Sequence, residues 1–490
     1  RANEDVHAPY FEALTEVRTA LRPPEEVEAD RDDVPGFADL FDAYREAMHR
    51  QRAIDHDEQI YGAIEVLLAD PVLRSWAQAR CRHMLVDEFQ DLTPAHLLMV
   101  RLLAAPEFDV FGVGDDDQVI YGYAGASPSF LIDYRDYFAG ADHHQLEVNY
   151  RCPAPVVEAA VTLLGHNRQR IDKKVRSDST ASSGLEVVRP AERDMGTQLG
   201  VIVADLIDQG SPDEVAVLAR VNVGLLVPQV SLMEAGIRVE AALDTSLLQR
   251  SGVRTALAWL RLASAVAVGE PMAGADLTEA TRRPSRGLSP GVRTALGRGV
   301  WQIDRLAAFA AGSTDERTRR RLEELVGDIA VLARMVQDGS SVGDQLTHIR
   351  DQIGLGSALD RLDNSRTHPT GGHTDDLDAL IQLAHTHPQV EAFEPWLRSN
   401  LERTRAHGPA VTLSTVHRAK GAEWPHVVVW DASVGLMPHR LAEDVEEERR
   451  IFHVAITRCS RSATVVTRAR RPSPFIRELD VAAPAGESPG

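Results

Sequence analysis

The stretch Met84-Leu85-Val86-Asp87-Glu88-Phe89-Gln90-Asp91 decides the fold, because its apolar start ends in two adjacent carboxylates. A short apolar run that stops at polar residues predicts a buried strand. In parallel sheets, ligands bind at the carboxyl ends of such strands. One carboxylate there can hold Mg²⁺ between nucleotide phosphates, and the other can orient the attacking water. Taken alone the pattern is weak, because many strands end in solvated acids.

A second apolar run leads into a similar polar segment. Residues 110–113 are followed by Gly114-Asp115-Asp116-Asp117-Gln118, a glycine turn with acids and an amide able to sense a γ-phosphate or its water. Later runs of strand character lie at residues 215–219, 411–413, 427–430 and 463–467. Because helical patterns separate these runs, we predict an α/β fold with parallel sheets. The first two strand ends are expected to form one composite site.

Two long parts of the chain have helical periodicity instead. Residues 13–68 place apolar side chains at intervals of three and four, with an acidic interruption at residues 23–33, and residues 263–400 are also helical in pattern. Strand runs lie on both sides of the second part, so we predict a helical insertion into one sheet. Residues 482–490 are predicted to be disordered.

Composition narrows the classes of function. At 490 residues the chain has room for three or four domains, and no apolar run approaches the ~20 residues of a membrane span. The formal charge of −20 argues against non-specific coating of nucleic acid, so any DNA site must be local. Three widely separated cysteines suit a reducing cytoplasm, and we expect them to be inert thiols.

Six segments, in order along the chain, resemble the motifs of the UvrD/Rep/PcrA group of superfamily 1 DNA helicases. They are residues 86–91, 114–121, 146–151, 215–222, 412–424 and 447–458. The resemblance covers most of the chain and implies two RecA-like parallel-sheet core domains, the first incomplete, with helical insertion domains. We therefore expect residues 81–145 in the first core and residues 1–80 as its helical insert. The second core would comprise residues 146–262 and 401–481, with residues 263–400 inserted.

The resemblance implies an ATP site between the two cores. Asp87 would hold Mg²⁺, Glu88 would orient the attacking water, and Gln118 would sense the γ-phosphate. Arg151 and Arg458 would neutralise the γ-phosphate from across the cleft, since planar guanidinium groups suit phosphate oxygens. The alternative for either arginine is an ordinary structural role.

Three further residues are implied to bind the nucleotide. Tyr150 is similar to the family residue that stacks on adenine, and Gly421 and Glu423 lie in the segment whose acid meets the ribose. The alternatives are a core aromatic for Tyr150 and a solvated acid for Glu423.

Single-stranded DNA is the partner that the resemblance implies, because stacking aromatics hold bases without reading sequence. Tyr121 and Tyr123 would stack on bases, while Thr415 and His417 would contact the phosphate backbone. Phe475 would either stack on a base or pack in the core.

Junctions between single- and double-stranded DNA are implied as well. Arg286 and Gly287 resemble part of a loop that offers backbone amides to duplex phosphates, but Ser289 replaces its second glycine, which leaves the duplex contact open. Tyr123 and Ala124 stand where the family has tryptophan and arginine. These replacements predict a different coupling between the nucleotide and DNA sites. The same form is similar to an actinobacterial UvrD-like branch.

A phosphate loop of the form Gly-x-x-x-x-Gly-Lys-Ser/Thr does not occur in the sequence. The family needs its lysine and backbone amides to hold the β- and γ-phosphates. Of the three lysines, Lys173 and Lys174 lack flanking glycines and Lys420 belongs to segment 412–424. We therefore expect an N-terminally truncated 3′-to-5′ helicase of DNA repair or replication, which alone hydrolyses ATP poorly.

Two other interpretations stay open. One is a catalytically inert module, derived from a helicase, that holds DNA or a partner protein. The other is one part of a helicase–nuclease, although no nuclease signature follows residue 458. In each case we expect a bacterial cytoplasmic protein at the nucleoid, with repair proteins as further partners.

Overall fold

Parallel strands form the main sheet of the protein. The computed structural model describes residues 7–180, 184–364, 372–387, 392–402 and 408–479. The strands are β1 (Met84–Val86), β2 (Val110–Gly112), β3 (Val148–Asn149), β4 (Arg176–Ser177), β5 (Leu185–Val188), β6 (Val215–Ala219), β7 (Val239–Glu240), β8 (Met272–Ala273), β9 (Val300–Trp301), β10 (Val411–Thr415), β11 (Trp424–Val429) and β12 (Cys459–Val466). The main sheet has six strands in the order β5-β12-β11-β6-β10-β7.

Strand β6 lies inside this sheet, and all five of its residues are buried. A continuous apolar run is what a parallel strand covered on both faces requires. Its neighbours come from far along the chain, since Ala216 pairs with Thr412 of β10 on one side and with Val427 of β11 on the other. The predicted α/β fold with a parallel sheet is confirmed, and the sheet does resume after the long helical segment.

The first part of the chain is helical, as predicted. Its helices are α1 (Ala8–Ala20), α2 (Pro24–Asp30), α3 (Phe37–Gln51), α4 (His56–Ala69), α5 (Pro71–Gln78), α6 (Pro94–Ala104), α7 (Ser129–Ile132) and α8 (Tyr134–Tyr137). The acidic stretch that was expected to interrupt the helices contains α2, so that expectation was wrong. Pro24 suits the first helical position, Glu25 and Glu26 suit the positive end of the helix, and Val27 is buried.

Helices also cover the main sheet and form the insertion. They are α9 (Ala154–Leu164), α10 (Met195–Ile207), α11 (Leu226–Glu234), α12 (Ser251–Ala267), α13 (Gly274–Arg282), α14 (Pro290–Gly297), α15 (Ile303–Ala311), α16 (Glu316–Gln337), α17 (Val342–Asp351), α18 (Leu355–Asp363), α19 (His373–Thr386), α20 (Phe393–Glu402), α21 (Val445–Ile456) and α22 (Phe475–Glu478). The long helical run starts at Ser251, earlier than residue 263, because the buried Trp259 and Leu262 of α12 already belong to its core. That core continues into one face of the main sheet.

A smaller sheet pairs β1 and β2 in parallel, with Val86 opposite Gly112. Its apolar side chains are unusually open to solvent, since Leu85 is 81% and Phe111 is 58% exposed. Burial of these side chains therefore does not hold the small sheet in place.

The described helices include none that is both long and apolar enough to cross a membrane. The predicted disordered tail, residues 482–490, lies outside the described residues.

Candidate nucleotide and DNA sites

The carboxyl ends of β1 and β2 meet, as predicted, and Gln90 joins them. Glu88 has a left-handed backbone (φ 50°), and its N–H donates to Asp87 Oδ1 at 2.9 Å. The Gln90 amide group donates to the Glu88 carboxylate and accepts the Asp115 N–H at 2.9 Å. A side chain at Gly114 would collide with the Gln90 amide oxygen, so glycine is required there. Gln90 is fully buried. No role was predicted for Gln90 from the sequence, although its place between Glu88 and Asp91 was a signal.

The three acids that follow β2 surround a lysine from the loop between α9 and β4. Lys173 Nζ lies 2.6 Å from Asp115, 2.6 Å from Asp116 and 2.9 Å from Asp117, and Arg170 adds a bidentate pair with Asp117. Burial alone would lower the pKa of Lys173, but the carboxylates outweigh it and raise that pKa above its ordinary range. Burial would likewise raise the pKa of Asp115, yet Lys173 and nearby groups hold it at about 2. This cluster is the one group of acids within the described residues close enough to share a metal ion, but the lysine ammonium already supplies its cation.

Gln118, which follows β2, and Arg458, which follows α21, lie close to each other. Arg458 Nη2 lies 3.4 Å from the Gln118 side-chain oxygen, and Asp115 accepts the other end of that amide at 2.8 Å. Burial lowers the pKa of Arg458, and the positive charge of Arg151 adds to the effect. The buried Arg458 guanidinium, with the half-buried Arg151 guanidinium nearby, favours an anion in this place.

Of the other predicted nucleotide residues, Glu423 contacts Arg151 and Tyr150 precedes Arg151 in the chain. Arg151 pairs with Glu423 at 2.5 Å, so two residues expected to contact the nucleotide contact each other. Tyr150 is 81% exposed, which rules out the core-aromatic alternative and leaves its ring open for stacking. Gly421 adopts φ 82°, a left-handed backbone that favours glycine.

A cavity of about 660 Å³ lies beside Gln118, Arg151 and Arg458. The residues that line it do not include Asp87, Glu88, Tyr150, Gly421 or Glu423. Its wall includes strand β2, Arg151, Lys173, His453 and Arg458. Burial lowers the pKa of His453 to about 4, and its Nδ1 atom is buried without a hydrogen-bond partner. A buried nitrogen without a hydrogen-bond partner, near the charges of Arg458 and Lys173, suits a polar guest. Triphosphate oxygens fit the arginines, and the exposed carboxylate of Asp87 offers the hard oxygen that Mg²⁺ prefers.

Segment 412–424 contacts the residues that follow β1 and β2 through Lys420. Its Nζ atom lies 2.6 Å from Asp91, donates to the Gln118 carbonyl at 2.9 Å and stands over the Tyr121 ring at 5.1 Å. The Tyr121 hydroxyl donates to the His417 carbonyl at 3.0 Å. Tyr121 therefore already has partners on both its face and its hydroxyl, and in this arrangement it is not a free stacking platform.

The remaining DNA candidates differ in accessibility. The side chain of Tyr123 lies outside the described residues, although its backbone forms part of a 3₁₀ turn at Gly122–Ala124. Burial lowers the pKa of His417 to about 4, so its ring is neutral at physiological pH. Thr415 is 8% exposed, and its hydroxyl accepts the Arg418 N–H at 3.4 Å. Neither side chain offers positive charge to a phosphate.

Phe475 packs in the core, which corrects its use as a base-stacking candidate. Its side chain is fully buried and stacks on Phe452 with ring centroids 5.8 Å apart, while Arg449 covers it at 5.5 Å. A ring enclosed in this way cannot reach a base without unfolding α22. The core-packing alternative is therefore favoured.

The loop in the helical insertion holds its arginine inward. Arg286 pairs with Asp328 and is about 10% exposed, whereas Gly287 is exposed and adopts φ 57°. Ser289 caps α14 by accepting the Val292 N–H at 3.4 Å. The Arg286 side chain is thus a structural residue rather than a free phosphate ligand, and Gly287 keeps only its backbone for such a contact.

Comparison with known proteins matches two regions of the chain. The UvrD/REP helicase N-terminal domain matches residues 9–139, and the UvrD-like helicase C-terminal domain matches residues 318–468. DNA helicase II of Escherichia coli (strain K12) is 27% identical over 476 residues, which cover 90% of this chain and 64% of that protein.

Two further relatives align over most of the chain. The ATP-dependent DNA helicase PcrA of Staphylococcus epidermidis is 24% identical over 510 residues, covering 96% of this chain and 68% of the relative. The ATP-dependent DNA helicase UvrD1 of Mycobacterium tuberculosis is 27% identical over 491 residues, covering 90% and 62%. The chain thus spans about two thirds of the length of these relatives.

Proposed function

The chain belongs to the UvrD/Rep-type family of superfamily 1 DNA helicases, and from this membership we propose that it is the motor part of an ATP-dependent 3′-to-5′ DNA helicase. The observation that carries the proposal is the meeting of Gln118 and Arg458 beside a cavity of about 660 Å³. One residue comes from each core segment. Closure of the cleft around a γ-phosphate would therefore be felt by both segments.

The residues of the cleft have distinct tasks in this proposal. Arg151 and Arg458 bind the γ-phosphate, and their charge offsets the charge that develops during phosphoryl transfer. Mg²⁺, when bound, would neutralise phosphate oxygens, and Asp87 is the residue that would hold it. Glu88, held by Gln90, orients the attacking water and takes its proton. Tyr150 stacks on the adenine, with Gly421 and Glu423 near the ribose.

The 490-residue chain alone is proposed to hydrolyse ATP poorly. The sequence contains no Gly-x-x-x-x-Gly-Lys-Ser/Thr segment, and two of its three lysines are bound to carboxylates at 2.6 Å, Lys173 to Asp115 and Asp116 and Lys420 to Asp91. The third, Lys174, has no flanking glycine. The β- and γ-phosphates would thus lack the cradle of backbone amides and lysine that this reaction uses.

Single-stranded DNA and its junctions with duplex are the proposed partners. Because Tyr121, Thr415 and Phe475 are engaged within the protein, the proposal relies on the turn Gly122–Ala124 and on the backbone of segment 412–424. Repair proteins as partners, and a cytoplasmic site of action at the nucleoid, are proposed from the family.

A steady-state ATPase assay with single-stranded DNA tests the proposal. The chain would be joined to the phosphate-loop segment of a relative such as DNA helicase II, and compared with the chain alone. We expect DNA-stimulated turnover only in the joined protein. In that protein, Glu88→Gln should leave nucleotide binding intact and reduce turnover at least about a hundredfold, because the group that orients the water is lost.

The second candidate is an inert module that holds DNA, favoured by the missing phosphate loop. It predicts DNA binding by both proteins and no turnover in either. A joined protein that binds DNA and nucleotide without DNA-stimulated turnover would decide for the inert module.

A further inference from the structure

Residues at both ends of helix α21 contact the segment that links the two proposed sites. Near its amino end, Glu447 accepts the Gly122 N–H at 2.9 Å. Just beyond its carboxyl end, Arg458 reaches Gln118 at 3.4 Å. One helix of the second core therefore holds both ends of a first-core segment that runs from the γ-phosphate candidate to the DNA candidate.

Contact between Glu447 and Gly122 is close and leaves no room for a side chain. A Cβ atom at Gly122 would lie 2.7 Å from Glu447 Oε2 and 3.0 Å from its Cδ. The carboxylate thus lies flat against the glycine. Gly122 begins the 3₁₀ turn Gly122–Ala124, which is closed by N–H groups of Ala124 and Gly125 donating to Tyr121 and Gly122, both at 2.9 Å.

The helix dipole favours acids in the first turn of α21, where Glu446, Glu447 and Glu448 lie, but it does not explain why Glu447 contacts Gly122. Glu447 follows Glu446 and precedes Glu448, and a polyanion such as DNA is repelled by each of them. Its neighbour Glu448 is occupied elsewhere, since it accepts Arg220 at 2.6 Å and the His439 N–H at 2.9 Å within the second core. Glu447 alone of this pair points across to the first core.

We propose that Glu447 is a positioning residue, which holds the backbone of the turn Gly122–Ala124 in the geometry that single-stranded DNA requires. The inference rests on the proposed function and adds a residue to it. Glu447 acts through the Gly122 N–H and does not touch DNA. Because the same helix leads to Arg458, movement of the arginine would reach the turn through Glu447.

The sign of one affinity change tests this role. The chain itself would be titrated against a fluorescein-labelled oligo(dT) of about 16 nucleotides, with binding followed by anisotropy. Loss of a negative charge alone would tighten binding. Loss of the positioning contact should instead weaken it, and for Glu447→Ala we expect about tenfold weaker binding. The dependence on salt should keep its slope, since no phosphate contact is removed.

Three matched variants distinguish the loss of the positioning contact from the loss of a negative charge and from a disturbed fold. Glu447→Gln removes the same charge but keeps an oxygen that accepts the Gly122 N–H, so it should bind within about twofold of the parent. Glu443→Ala removes an exposed acid nearby and should bind no more weakly than the parent. Gly122→Ala should weaken binding in the parent but add little to Glu447→Ala, because the carboxylate it displaces is already gone.

The possible failures are distinguishable. A parent chain that does not bind oligo(dT) overturns the proposed function, and the inference with it. A parent that binds, with Glu447→Ala equal or tighter, overturns the inference alone. Equal weakening by Glu447→Ala and Glu447→Gln also overturns it, because the accepting oxygen would then be irrelevant.

Discussion

Lys173→Met should loosen the contact between the two core segments without unfolding the protein. Lys173 is the shared cation of three carboxylates at 2.6 to 2.9 Å, and the side chains of Asp116 and Asp117 are 1% and 5% exposed. Removing one partner of a buried ion pair costs about 3–5 kcal/mol, because a charge is left behind. Arg170 still pairs with Asp117, and Asp115 is 35% exposed, so the lower end, about 3 kcal/mol, applies.

Hydrogen exchange followed by mass spectrometry measures this loss locally. A loss of about 3 kcal/mol makes opening roughly a hundredfold more frequent, so amides of residues 112–120 and 168–175 should exchange faster by that factor. Strand β6 should keep its protection. Lys174→Met is the matched control, because Lys174 is the neighbouring lysine and is exposed.

The effect of Lys173→Met should also depend on pH. Lys173 helps to hold the pKa of Asp115 at about 2, against an ordinary value of 3.8. A depressed carboxylate pKa contributes stability that is complete above the ordinary value and lost as pH falls through the lower one. The difference between parent and variant should therefore shrink between pH 4 and pH 2. Exchange that is equal in Lys173→Met and Lys174→Met at pH 7 would refute the reasoning.

Three other changes have defined outcomes. Tyr150→Ala should weaken ATP binding about tenfold in the joined protein, because a base–aromatic stack is worth about 1–3 kcal/mol. Calorimetry should find the affinity for inorganic triphosphate and the Tm unchanged, and equal losses of affinity for both ligands would contradict stacking. Phe475→Ala should lower the free energy of unfolding by about 3–5 kcal/mol in a denaturant titration, and the folded protein should keep its affinity for oligo(dT). A loss of affinity without a loss of stability would contradict the assignment of Phe475 to the core. His453→Gln should make the free energy of unfolding less dependent on pH in acid. Because burial lowers the pKa of His453 to about 4, the stability that the neutral ring contributes is complete above about pH 6.5 and falls by about 1.4 kcal/mol per pH unit towards pH 4. Thermal unfolding followed against pH should show this loss in the parent and not in the variant.

Local sequence patterns predicted the strands and their ends well. The run before Asp87 becomes β1 and residues 110–112 become β2, because apolar runs and terminal acids are properties of neighbouring residues. The parallel class followed from the same alternation of strands and helices. The meeting of the two strand ends was also predictable, since parallel neighbours place their carboxyl ends at one edge.

The accessibility of several predicted site residues depends on partners that are distant in sequence, which local patterns do not reveal. Phe475 is buried because Phe452 and Arg449 enclose it, and Arg286 points inward because Asp328 lies 42 residues further along. Glu447 is 325 residues from Gly122. No periodicity or motif spacing encodes such pairs, so the accessibility of a predicted site residue required the structure.

Strand β6 has a consequence for how the protein is made. Its partners β10 and β11 begin about 190 residues later, so a ribosome adding roughly 5–20 residues per second needs roughly 10–40 s before either can pair with it. During that time both edges of an apolar strand stay open to other chains. The helical insertion is completed in the same interval and has local contacts of its own. We expect nascent chains that stop before residue 411 to hold a folded insertion beside an unpaired strand, and to be the state that chaperones bind.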